Sequence, residues 1–261
     1  MSAGSVSLSV ENGIGRLVLN RPEKLNSFNA ALHSELRRAL QSLENSATRV
    51  LIISGAGKGF CAGQDLAERE GVARGESIDL GASIEANYKP LALALAACRF
   101  PLIARVQGVA AGAGASLALA CDLCIAGRSA SFAQSFVRIG LVPDMGGTWQ
   151  LPRRVGLARA MGLALLGERI GAQQAADWGL IWQCVDDDQL DAAVNAAAAT
   201  LAALPAAALT AIKGALRGSG AHTLEQQLNI ERDLQRELGH SADYREGVAA
   251  FLAKRTPHYG G

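Results

Sequence analysis

The sequence predicts an α/β fold that continues into a helical C-terminal part. Short apolar runs, of the kind that form strands buried on both faces, alternate with glycine-rich turns and helical segments up to about Gly156. This alternation of strand, turn and helix is typical of parallel βαβ-like units. From Val155 onward the apolar spacing becomes almost wholly helical.

Length and composition fit this fold class and exclude several functions. The chain has 261 residues, of which 49% are hydrophobic and 19% charged, enough for one large domain with a packed core. The net charge is +1 and no basic run stands out, so we expect no nucleic-acid binding. Met1 to Glu11 lacks the pattern of a signal peptide, and Val109 to Cys121 falls short of the ~18 apolar residues of a membrane span. We therefore expect a cytoplasmic protein without membrane contact.

The first elements follow from local patterns. Ile14 to Leu19 reads as a strand that ends at the segment Asn20 to Pro22. Asn29 is a suitable N-cap for a helix whose leucines recur at helical spacing. Those leucines are Leu32, Leu36, Leu40 and Leu43. Val50 to Ile53 is a continuous apolar run and predicts a buried strand.

The next elements repeat the pattern. Ser83 to Cys98 is helical, and Pro90 predicts a kink or a helix start within it. Leu102 to Val106 and Leu123 to Ala126 predict strands, with a helix over Ala115 to Ala120 between them. The later part predicts helices at Leu157–Leu166, Ala172–Trp178, Gln189–Leu204, Ala206–Arg217, Thr223–Leu238 and Ala242–Lys254.

Two glycine-rich turns, Gly55 to Leu66 and Gln107 to Ser116, each follow a predicted buried strand. Their small residues let a ligand touch the backbone, and the second turn leads into a helix whose free N–H groups point outward. If the turns converge, they would donate two backbone N–H groups to one carbonyl oxygen, which is an oxyanion hole. The alternative is that they are only closely packed strand–helix turns. Neither completes a dinucleotide-binding fingerprint, and no P-loop is present.

The cysteines leave one catalytic alternative open. Gly59 to Gly63 has the shape of a nucleophile elbow with Cys61 as nucleophile, and three histidines follow in the order that a hydrolase needs. These are His222, His240 and His258. The residues after Gly63 do not continue as the apolar helix that an elbow feeds. Cys121 and Cys124 form a C-x-x-C pair without partners at metal-ligand spacing, so we interpret them as buried thiols.

Asp144 lies in a Pro/Gly turn between apolar segments and is the remaining candidate for acid–base chemistry. A carboxylate in such a place is often only a turn former. Burial in an apolar pocket would raise its pKa from a reference of about 3.9 and make it a usable proton shuttle.

Several segments resemble motifs of the crotonase, or enoyl-CoA hydratase/isomerase, superfamily, and the resemblance covers nearly the whole chain. They are Arg21–Asn26, Phe60–Leu66, Gly108–Asp122 and Gly146–Pro152. The resemblance implies a ClpP-like spiral of ββα units, with an α/β core over residues 1–195 and a helical trimerisation region over residues 196–261. It also implies a homotrimer or a dimer of trimers that binds acyl-CoA and needs no cofactor, since coenzyme A is part of the substrate.

The same resemblance implies the site. The oxyanion donors would be the backbone N–H groups of Gln64 and Ala113. The implied substrate-binding positions are Lys24, Ala62, Asp65, Leu66, Gly112, Gly114, Ser116, Phe136 and Lys254, the two lysines near the phosphates. We also interpret Asp65 as a helix cap and Asp122 as a hydrogen-bonding group of the core.

The resemblance also selects a reaction. Enoyl-CoA hydratases carry two catalytic glutamates, at the positions held here by Ser116 and Phe136. Dienoyl-CoA isomerases instead use an aspartate in the loop that matches Asp144. We therefore expect an isomerase in which Asp144 is the catalytic acid and base.

A narrower resemblance concerns the branch of the superfamily that acts in bacterial phenylacetate degradation. It rests on Met161–Gly167, Trp178–Gln183, Glu231–Asp233 and Ser241–Val248. It implies conversion of ring-1,2-epoxyphenylacetyl-CoA to oxepin-CoA, Δ3,Δ2-enoyl-CoA isomerisation, and other enzymes of that pathway as partners. The alternatives are an enoyl-CoA hydratase, a Cys61-based acyl-CoA hydrolase and a non-catalytic scaffold.

Overall fold

The computed structural model describes residues 4–260. Residues 1–3 and 261 lie outside the described residues. The two predicted parts of the chain, 1–195 and 196–261, and the segment Met1 to Glu11, which lacks a signal-peptide pattern, are therefore described only in part. The strands are β1 (Val6–Glu11), β2 (Ile14–Leu19), β3 (Val50–Gly55), β4 (Leu102–Val106), β5 (Val109–Ala111), β6 (Leu123–Gly127), β7 (Ser131–Ala133), β8 (Arg169–Gly171) and β9 (Gln183–Val185). The helices are α1 (Ala30–Leu43), α2 (Glu70–Ala73), α3 (Leu80–Ser83), α4 (Lys89–Ala97), α5 (Ala113–Ala120), α6 (Gly147–Leu166), α7 (Ala172–Asp177), α8 (Leu190–Ala203), α9 (Ala206–Gly218), α10 (Leu224–Gly239) and α11 (Ala242–Leu252).

In the described part of the chain the strands form a six-stranded and a three-stranded sheet. The larger sheet has the order β1-β2-β3-β4-β6-β9, in which only the β1–β2 pair is antiparallel. The smaller sheet has the order β5-β7-β8, and β5 runs parallel to β7. Parallel strands place their carboxyl ends at one edge, so the turns after β3 and β4 emerge side by side.

The local predictions for the first elements are confirmed. Asn29 caps α1, because its side-chain oxygen accepts the Leu32 N–H at 2.9 Å, and the predicted leucine stripe of α1 is buried. Pro90 lies in the first turn of α4, where its missing N–H leaves no helical hydrogen bond unmade. The strands predicted at Ile14, Val50, Leu102 and Leu123 are β2, β3, β4 and β6.

The chain after Val155 is mostly helical, as predicted, but two strands that the sequence did not indicate lie within it. Two three-residue strands, β8 and β9, interrupt the helices, and β9 extends the larger sheet beside β6. Strands of this length are too short to show a period-2 pattern, so nothing local distinguishes them from turns. Likewise, β5 lies within the segment predicted as a turn, because its Val-Ala-Ala sequence resembles the flanking glycine-rich residues.

Helix α8 packs against the sheet. Its residues Leu190, Val194 and Ala198 share one face and form a buried cluster with Val50, Ile52, Ile103 and Ile125. The predicted boundary at residue 195 falls inside this helix. The division into a core and a helical C-terminal region stays a prediction.

The structure also describes the cysteines, any group that could bind a metal ion and any helix that could span a membrane. The five cysteines are free, and Cys121 and Cys124 are fully buried, as predicted for structural thiols. Residues 4–260 contain no group of three potential ligands that would hold a metal ion. Within the same residues no single helix is long and apolar enough to cross a membrane, although the bent pair Asp187–Ala203 and Ala206–Ala221 passes by length and composition.

Candidate active site

The two glycine-rich turns meet side by side. The N–H groups of Phe60 and Cys61 both donate to Val109 O, at 3.0 and 3.1 Å, and Ala111 N–H donates to Cys61 O at 2.9 Å. Gly63 has a φ of +94°, and a Cβ there would lie 2.8 Å from the Ala111 carbonyl oxygen. Only glycine allows the backbones to approach this closely. The two turns therefore converge, which is the condition that an oxyanion hole requires.

The convergence leaves two N–H groups available. Phe28 N–H donates to Gly63 O at 2.7 Å and Asp65 N–H donates to Phe28 O at 2.9 Å, so Phe28 bonds to the residues on either side of Gln64. In such a parallel bridge the N–H of Gln64 faces away from Phe28. Ala113 is the first residue of α5, where an N–H has no intrahelical acceptor. Neither N–H has an acceptor within residues 4–260.

Asp144 lies in the turn before α6. Its Oδ1 atom is enclosed and has no hydrogen-bond partner within the described residues. Burial raises the pKa of this carboxyl to about 6 from a usual 3.8, because the charged form loses solvation. The next residue, Met145, has a φ of +50°, a conformation that costs a non-glycine residue energy and that occurs often at functional sites. Such a carboxyl exchanges a proton near neutral pH, which is what acid–base catalysis needs.

The two positions at which the resembling hydratases carry glutamates are uncharged here. Ser116 is fully buried, its Oγ has no partner in residues 4–260, and a Cβ on Gly147 would lie 3.0 Å from it. The ring of Phe136 lies 3.6 Å from where a Cβ on Gly112 would stand. Gln134, which the sequence did not indicate, is buried beside Ser116, and neither of its side-chain polar atoms has a partner among the described residues.

A cavity of about 140 Å³ opens at Gln64. Its walls are Phe28, Asn29, Ala30, His33, Gln64, Glu68, Arg69, Ser83, Asn87 and Tyr88. With the Gln64 amide oriented so that its oxygen faces Arg69, two guanidinium nitrogens of Arg69 donate to that oxygen at 2.6 Å. Arg69 also donates to Ser83 Oγ at 3.2 Å, which ties the turn after Asp65 to the segment before α4. Apart from Gln64, no motif indicated these wall residues as part of a site, because they come from separate segments.

The predicted residues Asp65, Lys24 and Lys254 differ in how closely they are tied to the two turns. Asp65 accepts from Arg21 at 2.8 Å and caps the Ala67 N–H, as predicted for a helix cap. Lys24 is exposed, and its charge helps to lower the pKa of Asp65, after the larger effect of the Arg21 hydrogen bond. Lys254 is exposed after α11, and no hydrogen bond or ion pair in residues 4–260 joins its side chain to the turns.

Asp122 has the predicted structural role. One oxygen accepts the Leu102 N–H at 2.8 Å, and Lys213 and Arg217 form ion pairs with its carboxylate at 2.9 and 2.8 Å.

The geometry argues against Cys61 as a nucleophile. Cys61 is fully buried, and its Sγ donates to Asn26 O at 3.1 Å. Burial raises the pKa of its thiol to about 12, so the reactive thiolate is absent near neutral pH. The histidines that would activate it are exposed between or after the C-terminal helices; they are His222, His240 and His258. The structure does not bring the elements of a hydrolase together.

Comparison with known proteins relates this chain to enzymes described as acting on CoA thioesters. Residues 9–261 match the family described as Enoyl-CoA hydratase/isomerase. The chain is 53% identical over 253 residues to the 1,2-epoxyphenylacetyl-CoA isomerase of Escherichia coli (strain K12), covering 97% of each protein. It is 48% identical over 261 residues to a probable enoyl-CoA hydratase of Rhodobacter capsulatus, covering 100% of both.

Solved structures show the same fold. The crystal structure of a putative enoyl-CoA hydratase/isomerase from Mycobacterium abscessus superposes with a TM-score of 0.94 at 37% identity, over 98% of this chain and 99% of that one. An enoyl-CoA hydratase from Bacillus anthracis gives a TM-score of 0.92 at 33% identity, over 98% and 99% of the two chains. The predicted fold class is confirmed.

Proposed function

The chain belongs to the enoyl-CoA hydratase/isomerase family, and from that premise we propose that it isomerises ring-1,2-epoxyphenylacetyl-CoA to oxepin-CoA and also Δ3- to Δ2-enoyl-CoA. The observation that carries this proposal is the Asp144 carboxyl, whose Oδ1 is enclosed without a partner in residues 4–260 and whose pKa is raised to about 6. The two hydratase glutamate positions hold uncharged residues. A single acid of this kind suits a proton shift within one substrate. The identity to the Escherichia coli isomerase supports the choice of substrate.

The reaction begins at the thioester. Its carbonyl oxygen accepts from the N–H groups of Gln64 and Ala113, which are free in the described structure. The Asp144 carboxylate takes a proton from the carbon next to that carbonyl, and the electron pair moves onto the carbonyl oxygen. The two fixed N–H dipoles stabilise this oxyanion, and removing one such donor typically costs about 10²–10³ in rate.

The same carboxyl then returns the proton. In an enoyl-CoA it protonates the carbon two positions further along, so the double bond moves from the β,γ to the α,β position. In the epoxide, the ring bond shared with the epoxide opens to give the seven-membered oxepin, and the same shift of a proton from the α to the γ carbon completes the rearrangement. Atoms and mass are unchanged, and one group serves as both base and acid.

The surroundings of Asp144 suit this chemistry. Phe136 and Ser116 carry no charge that would activate water, and Phe136 forms an apolar wall beside Gly112. Exclusion of water protects a dienolate from side reactions. Hydration of an enoyl-CoA is the second candidate, because the Rhodobacter capsulatus relative carries that description.

We also propose that the chain acts as a homotrimer or a dimer of trimers, and that other phenylacetate-pathway enzymes are its partners. Large apolar side chains on the C-terminal helices are exposed, which favours their burial against further copies. They are Ile212, Leu216, Leu224, Leu228, Phe251 and Leu252. Light scattering measures the assembly size directly, and a monomer at micromolar concentration would contradict this part of the proposal.

The deciding experiment is mass-resolved turnover of a 3-enoyl-CoA and of ring-1,2-epoxyphenylacetyl-CoA by the wild type and by Asp144→Asn. We expect isomeric products of unchanged mass from the wild type and none from the variant, which should still bind CoA esters. In D₂O the product should gain deuterium at the γ carbon when Asp144 exchanges its proton with solvent. A product heavier by one water would replace the proposal with hydration, and free CoA would replace it with hydrolysis.

A further inference from the structure

The cavity at Gln64 has an aromatic wall. Phe28 and His33 stack with ring centroids 4.7 Å apart and an interplanar angle of 22°. Tyr88 meets both edge-on, with centroids 5.8 Å from Phe28 and 4.3 Å from His33. The three side chains are nearly fully buried, and each fixes the orientation of the next. The wall is therefore a rigid surface rather than a set of mobile side chains.

One polar atom of this wall is available to a ligand. Tyr88 is only 3% exposed, yet its hydroxyl makes no hydrogen bond within residues 4–260. Its oxygen is not sealed off, whereas both ring nitrogens of His33 are enclosed without partners in the described structure. A hydroxyl that opens from an apolar wall into a cavity can exchange a water molecule for an oxygen of a bound ligand, so it is a candidate donor to the substrate.

The protonation state defines what this hydroxyl does. Burial raises the pKa of Tyr88 well above its ordinary value, and the nearby Asp144 carboxylate raises it further. Tyr88 therefore remains a neutral phenol and acts as a hydrogen-bond donor rather than as a base. Asp144 is close enough to influence this pKa, although no hydrogen bond joins the two side chains in residues 4–260.

The size of the cavity limits the ligand. Its volume is about 140 Å³, close to that of a cavity of about 150 Å³ that holds one benzene molecule. Gln64 both lines the cavity and carries a proposed oxyanion donor, so an acyl ring one carbon away from the thioester carbonyl would enter it directly. The Nε and Nη2 atoms of Arg69 donate to Gln64, and Nη2 also donates to Ser83, so the Arg69 side chain is held against the wall.

From these observations we propose that the cavity binds a single six- or seven-membered ring of the acyl group, and that the Tyr88 hydroxyl donates a hydrogen bond to an oxygen carried by that ring. Phe28 supports the ring face, and His33 holds Tyr88 in position. This inference rests on the proposed function, because an oxygenated ring next to the thioester describes both the epoxide and the oxepin. It makes Tyr88 a determinant of specificity for oxygenated cyclic acyl groups over plain ones.

The test measures binding with CoA esters that this enzyme does not isomerise. Isothermal titration compares phenylacetyl-CoA with 2-hydroxyphenylacetyl-CoA, which carries a ring oxygen next to the point of attachment. We expect the wild type to bind the hydroxylated ester about five- to tenfold more tightly, as one net hydrogen bond allows. Tyr88→Phe, which removes only the oxygen, should bring the ratio to about one. The matched control Tyr244→Phe alters a tyrosine that is 58% exposed on α11 and should keep the wild-type ratio.

A second variant locates the ring independently of the hydroxyl. Phe28→Leu keeps Tyr88 but removes the aromatic support, so it should weaken phenylacetyl-CoA binding several-fold relative to acetyl-CoA. The inference would be overturned if the wild type bound the hydroxylated and the plain ester equally, or if Tyr88→Phe kept the wild-type preference for the hydroxylated ester. It would also be overturned if Phe28→Leu kept the wild-type preference for phenylacetyl-CoA over acetyl-CoA. If the protein preferred the hydroxylated ester but isomerised no substrate, the proposed function alone would be refuted. If it isomerised its substrates but bound the two esters equally, this inference alone would be refuted.

Discussion

The carboxylate of Asp65 accepts a hydrogen bond from the guanidinium of Arg21 at 2.8 Å, one residue after the free N–H of Gln64. Arg21 also donates to Ser27 O at 2.6 Å, and its own backbone N–H donates to Asn26 Oδ1 at 2.8 Å. The side chains of Arg21 and Asp65 are only 14% and 10% exposed. The pair therefore fastens the segment after β2 to the turn that carries the proposed oxyanion donor.

Asp65→Asn should destabilise the protein by about 2 kcal/mol at pH 7, the range for hydrogen bonds to charged groups. Arg21 holds the pKa of Asp65 below its usual 3.8. A lowered carboxyl pKa contributes stability that is present above the unfolded pKa and is lost as pH falls through the folded pKa. The difference in urea-unfolding free energy between wild type and variant should therefore shrink below about pH 4.

A matched control comes from an exposed pair. Lys89 and Glu85 lie 2.8 Å apart, but their side chains are 54% and 69% exposed. Glu85→Gln should change stability by less than about 0.5 kcal/mol. An Asp65→Asn variant as stable as this control at pH 7 would show that the Arg21–Asp65 pair does not hold the turn.

Asp144 should show the opposite dependence of stability on pH. Its folded pKa of about 6 lies above the usual 3.8, so the folded state favours the protonated carboxyl. The resulting stability is complete below the unfolded pKa and is lost as pH rises through about 6. The gap between these pKa values corresponds to about 3 kcal/mol. Asp144→Asn should therefore gain up to about this much unfolding free energy relative to wild type between pH 4 and pH 8. An equal difference at both pH values would contradict the burial of this carboxyl.

The rate of catalysis should also depend on the ionisation of Asp144, but it should rise with pH where the stability falls. Proton removal needs the carboxylate, so kcat/KM for a 3-enoyl-CoA should rise about tenfold per pH unit below the pKa of about 6 and level off above it. The profile is measured at subsaturating substrate, where it reports the free enzyme. A flat profile between pH 5 and pH 8 would mean that another group starts the reaction.

Much of the site could be predicted from the sequence, because its parts are local. The two glycine-rich turns follow buried strands, and parallel strands bring their ends together, so convergence at Gly63 and Ala111 follows from the fold class. The Asn29 cap and the leucine stripe of α1 are likewise local patterns. The strands β8 and β9 were missed because three residues carry no periodicity, and they pair only with distant strands.

The cavity wall could not be predicted for a different reason. Phe28, His33 and Tyr88 come from the segments around α1 and before α4, and each reads as an ordinary apolar or surface residue in its own segment. His33 lies next to Leu32 in a helix and gave no metal spacing, and only the tertiary fold shows that its ring is enclosed between two aromatic rings. The pKa of His33 is lowered to about 4 by burial and then by Arg37, so it is neutral within the wall.

Cys61→Ala separates the isomerase from the hydrolase alternative. The buried thiol donates to Asn26 O and hydrogen-bonds to no histidine within residues 4–260, so its removal should leave turnover within about twofold while costing about 1–2 kcal/mol of unfolding free energy through lost packing. The native protein should also resist thiol-labelling reagents at Cys61, and urea should expose it. Loss of all activity in a variant that still folds would return attention to Cys61 as a nucleophile.

Gly63→Ala should damage the site through the backbone alone. The residue has a φ of +94°, and the new Cβ would stand 2.8 Å from Ala111 O and 3.5 Å from Ala113 N. Either the backbone of Gly63 or the start of α5 must move, which separates the N–H groups of Gln64 and Ala113. Because displacing one oxyanion donor costs about 10²–10³ in rate, kcat should fall by about that factor.

Strain at Gly63 should also lower the unfolding free energy by about 1–3 kcal/mol. Gly214→Ala is the matched control: this glycine lies in α9, and no atom of residues 4–260 beyond the helix's own nearby backbone lies within 4 Å of its Cβ position. The alanine should raise helix stability by about 0.5–1 kcal/mol and leave kcat unchanged. If Gly63→Ala retained full kcat in the same assay, the spacing of the Gln64 and Ala113 N–H groups would not matter to the rate. The two groups would then not form an oxyanion hole.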